Sequence, residues 1–164
     1  MTQKQRRRPC RSEEGFTLIE LMVVVLILAV LMAVAMPSFL SARNRAQDRA
    51  AQTLVRTALS AEIVFYGGSQ RFSEDATPGG ELASIEPDLA WGTVDASAKG
   101  VAAALDAGND QAVTLRSQSR TGTTYCIGRI ESGPNAGTYY NTACDGTDDE
   151  ASIAAWPTTI AVGW

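Results

Sequence analysis

The chain has 164 residues and is mildly acidic, with 14 Lys and Arg against 18 Asp and Glu. It contains no histidine, which removes the commonest general base and metal ligand of proteins. It also lacks a phosphate loop, a Cys-x-x-Cys pair and a Gly-x-Ser-x-Gly turn, so we expect neither enzymatic activity nor a cofactor. An acidic chain is also a poor general binder of nucleic acid, because the phosphates repel it.

The N-terminal part of the chain is a basic leader followed by a long apolar run. The leader contains five basic residues, Lys4, Arg6, Arg7, Arg8 and Arg11. A helix made of the 21 residues 16–36 would be about 31 Å long, close to the ~30 Å hydrocarbon thickness of a bilayer. The run therefore predicts a membrane span. Fewer basic residues follow the span than precede it, which predicts a cytoplasmic N-terminus and an extracytoplasmic remainder.

Glu20 lies inside this apolar run. A carboxylate at the middle of a membrane helix costs on the order of 2.5–3.5 kcal/mol, and less near an end. If the chain were cut between Gly15 and Phe16, the new amino group would lie four residues before Glu20, on the same helix face. The ammonium group of the same chain or of an adjacent subunit could then neutralise the carboxylate. Polymerisation is therefore one way to pair the two charges.

The N-terminal segment resembles the class III signal of type IV prepilins and of the related pseudopilins. The resemblance covers residues 12–66 and is carried by the basic leader, the apolar helix and the motif Gly15-Phe16-Thr17-Leu18-Ile19-Glu20. It implies that a membrane aspartyl peptidase cuts after Gly15 and methylates the new N-terminus at Phe16. It also implies that Glu20 guides assembly and that Pro37 kinks the long helix.

The same resemblance implies the fold, the partners and the location. The expected fold is α+β, a type IV pilin fold in which a long kinked N-terminal helix packs by its C-terminal half on a small antiparallel sheet. The expected partners are identical or related pilin subunits, the prepilin peptidase, the assembly machinery of the inner membrane and, before assembly, membrane lipid. The subunit would cross the cytoplasmic membrane once before assembly and would lie in an extracellular pilus filament afterwards.

The chain divides into four expected regions on this basis. They are the leader (residues 1–15), the membrane and polymerisation helix (16–37), an amphipathic helix half (38–66) and a globular head (67–164).

Three other interpretations of the N-terminal segment stay open. A pseudopilin of a type II secretion system shares the N-terminus and differs in its head. An ordinary secretory signal peptide would be cut after Ala33-Val34-Ala35, and a singly anchored binding domain would need only the span. Neither of the last two gives Glu20 a role.

The helix is predicted to continue beyond the span as far as residue 66, because residues 38–66 contain neither Gly nor Pro. Gly67-Gly68 predicts its end, and Pro37 predicts a kink because it removes one backbone donor. An apolar stripe along residues 50–65 predicts the face that covers a sheet, and its members are Ala50, Leu54, Ala58, Ala61 and Phe65.

The remainder is predicted to begin irregularly and to end in strands. Residues 67–110 are rich in turn signals, and residues 96–107 allow either a short helix or a strand. Alternating patterns predict antiparallel strands at residues 112–117, 124–130 and 138–142, joined by turns at residues 121–122 and 132–137. A last apolar segment, residues 153–164, predicts an edge strand around Ile160 and Val162.

Two of the three cysteines form an expected pair. Cys10 lies in the leader, whereas Cys126 and Cys144 lie in the extracytoplasmic part, where disulfides persist. In a regular hairpin centred on residue 135 their sulfurs would lie nearly opposite each other. A disulfide-bounded C-terminal loop is also common in the pilins that the chain resembles. Two unpaired buried thiols are the alternative.

The C-terminal part also contains an acidic run that includes Asp145, Asp148, Asp149 and Glu150. Oxygen ligands at this density can bind calcium, and some pseudopilins use a C-terminal loop in this way. The spacing does not fit an EF-hand, so an exposed acidic turn is the preferred interpretation and calcium the weaker one.

Overall fold

The structure is a computed structural model, and it describes residues 15–73, 75–92, 94, 100–106, 109–142, 144 and 150–157. A long helix, α1 (Leu18–Ser69), comes first and is followed by the short helix α2 (Glu81–Ile85). A third helix, α3 (Glu150–Ala154), follows the strands. The strands are β1 (Ala90–Trp91), β2 (Gly100–Asp106), β3 (Asn109–Gln118), β4 (Thr124–Ile130) and β5 (Gly137–Asn141).

The chain forms two compact units whose boundary lies between Leu40 and Ser41. The described part of the first unit is residues 15–40, which contain the first part of α1 and expose their apolar side chains to the surroundings. The second unit contains the rest of α1, the sheet and the two short helices. Helical structure continues through Pro37 without interruption, so the kink at this residue stays a prediction.

The five strands form one sheet in chain order, β1-β2-β3-β4-β5. The short β1 is parallel to β2, and the other neighbours are antiparallel. The expected α+β fold, with the second half of the long helix packed on a mostly antiparallel sheet, is confirmed. The prediction of irregular structure over residues 67–110 is wrong in part, because α2 and β1 lie there. Of the two alternatives for residues 96–107, the structure has the strand, β2. The alanine-rich β2 has little intrinsic strand preference, and its pairing with β3 supplies what its sequence lacks.

Each face of the sheet carries its own hydrophobic core. On one face, α1 contributes Val55 and Ala58, which pack with Leu115, Ile127 and other buried side chains. The alternate strand residues point to the opposite face, where Ala112, Cys126 and Ile130 pack with Ile153 and Trp156. Ile153, the first residue of the predicted apolar segment, lies in α3. Ile160 and Val162 lie outside the described residues.

The buried face of α1 is displaced from the predicted stripe. The buried residues of the helix are Ala51, Val55, Ala58, Ala61 and Glu62. Ala50, which opens the predicted stripe, is exposed, and Leu54 is only half-buried. Apolar residues occupy so many positions of this helix that periodicity alone did not identify the central line of contact.

Helix α1 ends later than the sequence predicted. Gly67 and Gly68 lie within its last turn, and the left-handed residue that follows the helix is Gln70, with φ of 57°. Contacts with β3 hold this end, since the Tyr66 hydroxyl donates to Gln111 Oε1 and the Gln111 amide donates to the Gln70 carbonyl at 3.0 Å. Tertiary hydrogen bonds therefore override the glycine pair as the stop signal.

Gly67→Ala and Gly68→Ala are each expected to raise the free energy of unfolding by about 0.5–1 kcal/mol. A methyl group at either position would meet no heavy atom of the described residues within 4 Å, so alanine fits and helix propensity improves. Thermal unfolding of the mature chain in detergent measures the change. The control is Gly122→Ala, which also meets open space but has φ of 93° and should destabilise. Unchanged or lower stability in both helix variants would contradict the prediction.

Candidate functional site

The N-terminal segment places the predicted cleavage point at an accessible position. Gly15 and Phe16 precede α1, and Phe16 is 81% exposed. Apart from Gly15 itself and its chain neighbours, no heavy atom of the described residues lies within 4 Å of a Cβ built on Gly15. Among the residues that the structure describes, from Gly15 onwards, nothing blocks the access of an enzyme to the peptide bond between Gly15 and Phe16.

Thr17 caps the N-terminus of α1, and this gives Glu20 a second, local role. The Glu20 backbone N–H donates to Thr17 Oγ1 at 3.3 Å, which satisfies one of the four free N–H groups at the start of the helix. Thr17 and Glu20 also have the Thr-x-x-Glu spacing of a capping box, and a carboxylate in the first turn is favoured by the helix dipole. An experiment on Glu20 must therefore separate helix capping from charge pairing.

The apolar side chains of the first part of α1 are exposed. Among the described residues, α1 is the one helix long and apolar enough to cross a membrane. None of the residues in its most apolar stretch is buried. Large side chains such as Leu26 and Val34 are 65% and 77% exposed. A surface of this kind is stable only against lipid or against other helices.

A disulfide joins Cys126 of β4 to Cys144, with the two Cα atoms 6.4 Å apart. The direct cross-strand partner of Cys126 is Asn141, so the predicted hairpin geometry is wrong. Cys144 lies three residues beyond that partner, after the end of β5. The bridge therefore connects the middle of β4 to the chain that leads towards α3, on the sheet face that carries Ile153 and Trp156.

The candidate calcium residues are not tested by this geometry. Asp145, Asp148 and Asp149 lie outside the described residues, and Glu150 begins α3. The part of the chain that the structure describes contains no group of three or more acidic or thiol side chains able to hold a metal ion.

A buried carboxyl group that the sequence pattern did not reveal, Glu62, lies on the sheet-facing side of α1. Glu62 has no exposed surface, and its Oε2 accepts the backbone N–H of Ser73 at 3.1 Å. Burial raises the pKa of Glu62 to about 7; the Ser73 hydrogen bond opposes this rise, and the negative charge of Glu81 adds to it. The sequence does contain a signal for it: Glu62 is a single acidic residue within an apolar helix face, one residue after Ala61 and four residues after Ala58.

A second missed cluster ties α1 to the turn between β3 and β4. The Asp48 carboxylate accepts hydrogen bonds from the hydroxyls of Ser119, at 2.7 Å, and Thr121. Ser119 Oγ also accepts the backbone N–H of Thr121 at 3.2 Å. The predicted turn at residues 121–122 is therefore present, and it is held to the helix by polar contacts that sequence spacing does not reveal.

Comparisons with known proteins agree with the N-terminal geometry. The family model described as the prokaryotic N-terminal methylation motif matches residues 10–36. The type IV major pilin protein PilA of Myxococcus xanthus is 39% identical over 62 residues, which are 38% of this chain and 28% of that protein. The type IV wide pilus major component PilA4 of Thermus thermophilus is 55% identical over 38 residues, 23% of this chain and 29% of that one.

A type IV major pilin protein PilE1 of Neisseria gonorrhoeae is 38% identical over 77 residues, which are 47% of this chain and 46% of that protein. The chain thus spans less than half the length of each of these curated relatives. No solved structure matches it. The motif and the relatives agree on one point: the N-terminal segment carries the prokaryotic N-terminal methylation motif and is similar to the corresponding segment of type IV major pilins.

Proposed function

We propose that the chain is a structural subunit of a type IV pilus, assembled from a membrane-held precursor after cleavage behind Gly15 and methylation at Phe16. One observation carries this proposal. The methylation motif stands at the exposed start of a helix whose first part exposes its apolar side chains. The relatives support a pilus over a secretion pseudopilus, because they are named as pilus components.

The proposed mechanism is an exchange of lipid for helix contacts. Before assembly, lipid covers the apolar part of α1, and after assembly the same part of neighbouring subunits covers it. Lipid tails are as apolar as the side chains they leave, so close packing and charge pairing drive the association more than hydrophobicity does. The Glu20 carboxylate of one subunit pairs with the Phe16 ammonium of another, in surroundings where an unpaired charge is expensive.

Two partners act on the subunit before it enters the filament. A prepilin peptidase cuts and methylates the chain, and the inner-membrane assembly machinery extracts it from the bilayer. The leader lies in the cytoplasm and the head lies outside it, as the excess of basic residues before the span indicates. The role of the chain in this cycle is structural and needs no catalytic group.

N-terminal mass spectrometry of the protein recovered from cells tests the proposal. We expect the mature chain to begin at Phe16 and to carry one methyl group on its amino nitrogen. Gly15→Val should retain the leader, because a branched side chain replaces hydrogen at the residue before the cut. Ala35→Leu should be processed normally, although it blocks cleavage by a signal peptidase after the small residues 33–35. A mature N-terminus at Met36, or an intact leader in the unaltered protein, would refute the proposed pathway.

A further inference from the structure

Glu62 makes a hydrogen bond to the segment that follows α1. The segment is residues 71–80, which lead from the end of α1 to α2, with Glu74 outside the described residues. Glu62 Oε2 accepts the Ser73 backbone N–H at 3.1 Å. Its other oxygen, Oε1, is buried and has no hydrogen-bond partner among the residues that the structure describes. One half of this carboxyl group is therefore satisfied and the other is not.

Arg71 compensates Glu62 only weakly, because its effect on the pKa of Glu62 is the smallest of the four and its guanidinium is paired with another carboxylate. Arg71 forms an ion pair with Glu81, with 3.2 Å between Nη2 and Oε1. Ser73 joins the two carboxyl groups, since its backbone N–H donates to Glu62 and its hydroxyl donates to Glu81 Oε2 at 2.7 Å. Asp75 adds a further acid to the segment, and its carboxylate accepts the hydroxyl of Thr77.

Two other titratable groups near this contact, among the residues that the structure describes, are engaged with other partners. The Tyr66 hydroxyl, one turn along α1, donates to Gln111. The Asp110 side chain accepts the Gln111 amide, while the Asp110 backbone carbonyl accepts the Phe72 N–H at 2.8 Å. Arg71 is thus the one arginine that acts on both Glu62 and Glu81, and it is paired with Glu81, the more exposed of these two carboxyl groups.

An ionised Glu62 is more costly in this environment than a neutral one. Burial raises the pKa of Glu62 from 4.5 to about 7; the Ser73 N–H lowers it, Glu81 raises it and Arg71 lowers it, in decreasing order of size. Because Oε2 already accepts a hydrogen bond, the proton belongs on Oε1. Ionisation would place a charge on a buried oxygen that no described donor reaches.

We propose that Glu62 is a proton-dependent latch, whose neutral carboxyl group holds residues 71–80 against α1 and whose ionisation loosens them. The released segment includes Pro78 and Gly79, which form part of the wall of an apolar surface cavity of about 450 Å³. Leu89 and Trp91 also line that cavity. The latch therefore controls the shape of the cavity, and with it one surface of the head.

The direction of the pH effect follows from the two states of the segment. When the segment opens, Glu62 meets water and its pKa returns towards 4.5. Between pH 4.5 and about 7 the open state loses the proton and the closed state keeps it, so opening becomes about tenfold easier per pH unit. The total gain is on the order of 10²-fold, and it levels off once the closed state also ionises, above about pH 7.

Amide hydrogen exchange of the full mature chain in detergent micelles tests the latch, followed by mass spectrometry between about pH 5 and pH 9. After correction for the intrinsic pH dependence of exchange, residues 71–80 should lose protection up to about pH 7 and then reach a plateau. Glu62→Gln, which cannot ionise, should show constant protection of the segment over this range. Glu131→Gln makes the same chemical change in a surface ion pair and should keep the profile of the unaltered chain.

Two results would overturn the latch. One is a segment whose protection in the unaltered chain does not change between about pH 5 and pH 7. The other is the same pH dependence in Glu62→Gln as in the unaltered chain. If Glu62→Gln does not fold, the profile of the unaltered chain alone decides, because a loss spread evenly over the whole head would contradict a local latch.

Discussion

Filament assembly is expected to fail, or to fall steeply, when Glu20 is replaced by alanine, while cleavage behind Gly15 continues. In the proposed filament, each Glu20 carboxylate pairs with the Phe16 ammonium of a neighbouring subunit. Removing the carboxylate leaves that ammonium unpaired among apolar helices, which costs on the order of 2.5–3.5 kcal/mol at full membrane depth and less towards an edge. A loss of about 1.4 kcal/mol per contact already lowers the association constant tenfold.

Two further variants separate charge pairing from helix capping at this position. Glu20→Gln keeps the side-chain oxygen that a capping box uses but removes the charge, so it should assemble as poorly as Glu20→Ala. Thr17→Ala removes the hydroxyl that accepts the Glu20 N–H, at a cost of about 1 kcal/mol of helix stability, but retains the charge. Thr17→Ala should therefore assemble.

The measurement is the quantity of filaments sheared from cells, seen by electron microscopy and compared with the mass of the subunit that remains in the membrane. The membrane-held subunit should show complete processing in all three variants. Normal filaments from Glu20→Gln would mean that capping, and not charge pairing, explains the carboxylate. Normal filaments from Glu20→Ala would remove both explanations.

The second large effect is expected on loss of the Cys126–Cys144 disulfide. The bridge closes a loop between cysteines that are 18 residues apart, and in the chain-entropy model such a loop contributes about 3 kcal/mol to the free energy of unfolding. Cys126 is completely buried in the core that also contains Ile153 and Trp156. Replacing both cysteines by alanine should therefore destabilise the head and loosen the chain around α3 in particular.

Denaturant unfolding of the mature chain in detergent measures this effect. The unaltered chain with a reductant should unfold close to the double alanine variant, and the reductant should not change the variant itself. Limited proteolysis should cut the reduced chain first between β5 and α3. Two thiols that react freely in the folded, non-reduced protein, or unfolding that does not respond to reductant, would show that no such bridge stabilises the head.

The N-terminal features could be predicted from the sequence because each depends on residues that are close together in the chain. The motif from Gly15 to Glu20 and the span that follows are contiguous, and their chemistry depends on residues one helical turn apart or on the length of an apolar run. Strand β4 was predicted at its observed bounds, Thr124–Ile130, for a similar reason. Its alternation is regular, and turn residues flank it on both sides.

Other features depend on residues that are distant in the chain, and only the tertiary structure decided them. Strand β2 forms because β3 offers it a partner, and α1 ends at Ser69 because contacts with Gln111 hold it there. Glu62 is tolerated in a buried position where Ser73, eleven residues further along the chain, donates its backbone N–H to it. In each case the free energy of a contact between distant residues exceeds the local preference of the segment, which is worth about 1 kcal/mol or less per residue. Local sequence patterns therefore determined the N-terminal motif and the apolar helix. Packing between distant residues determined strand β2, the end of α1 and the burial of Glu62.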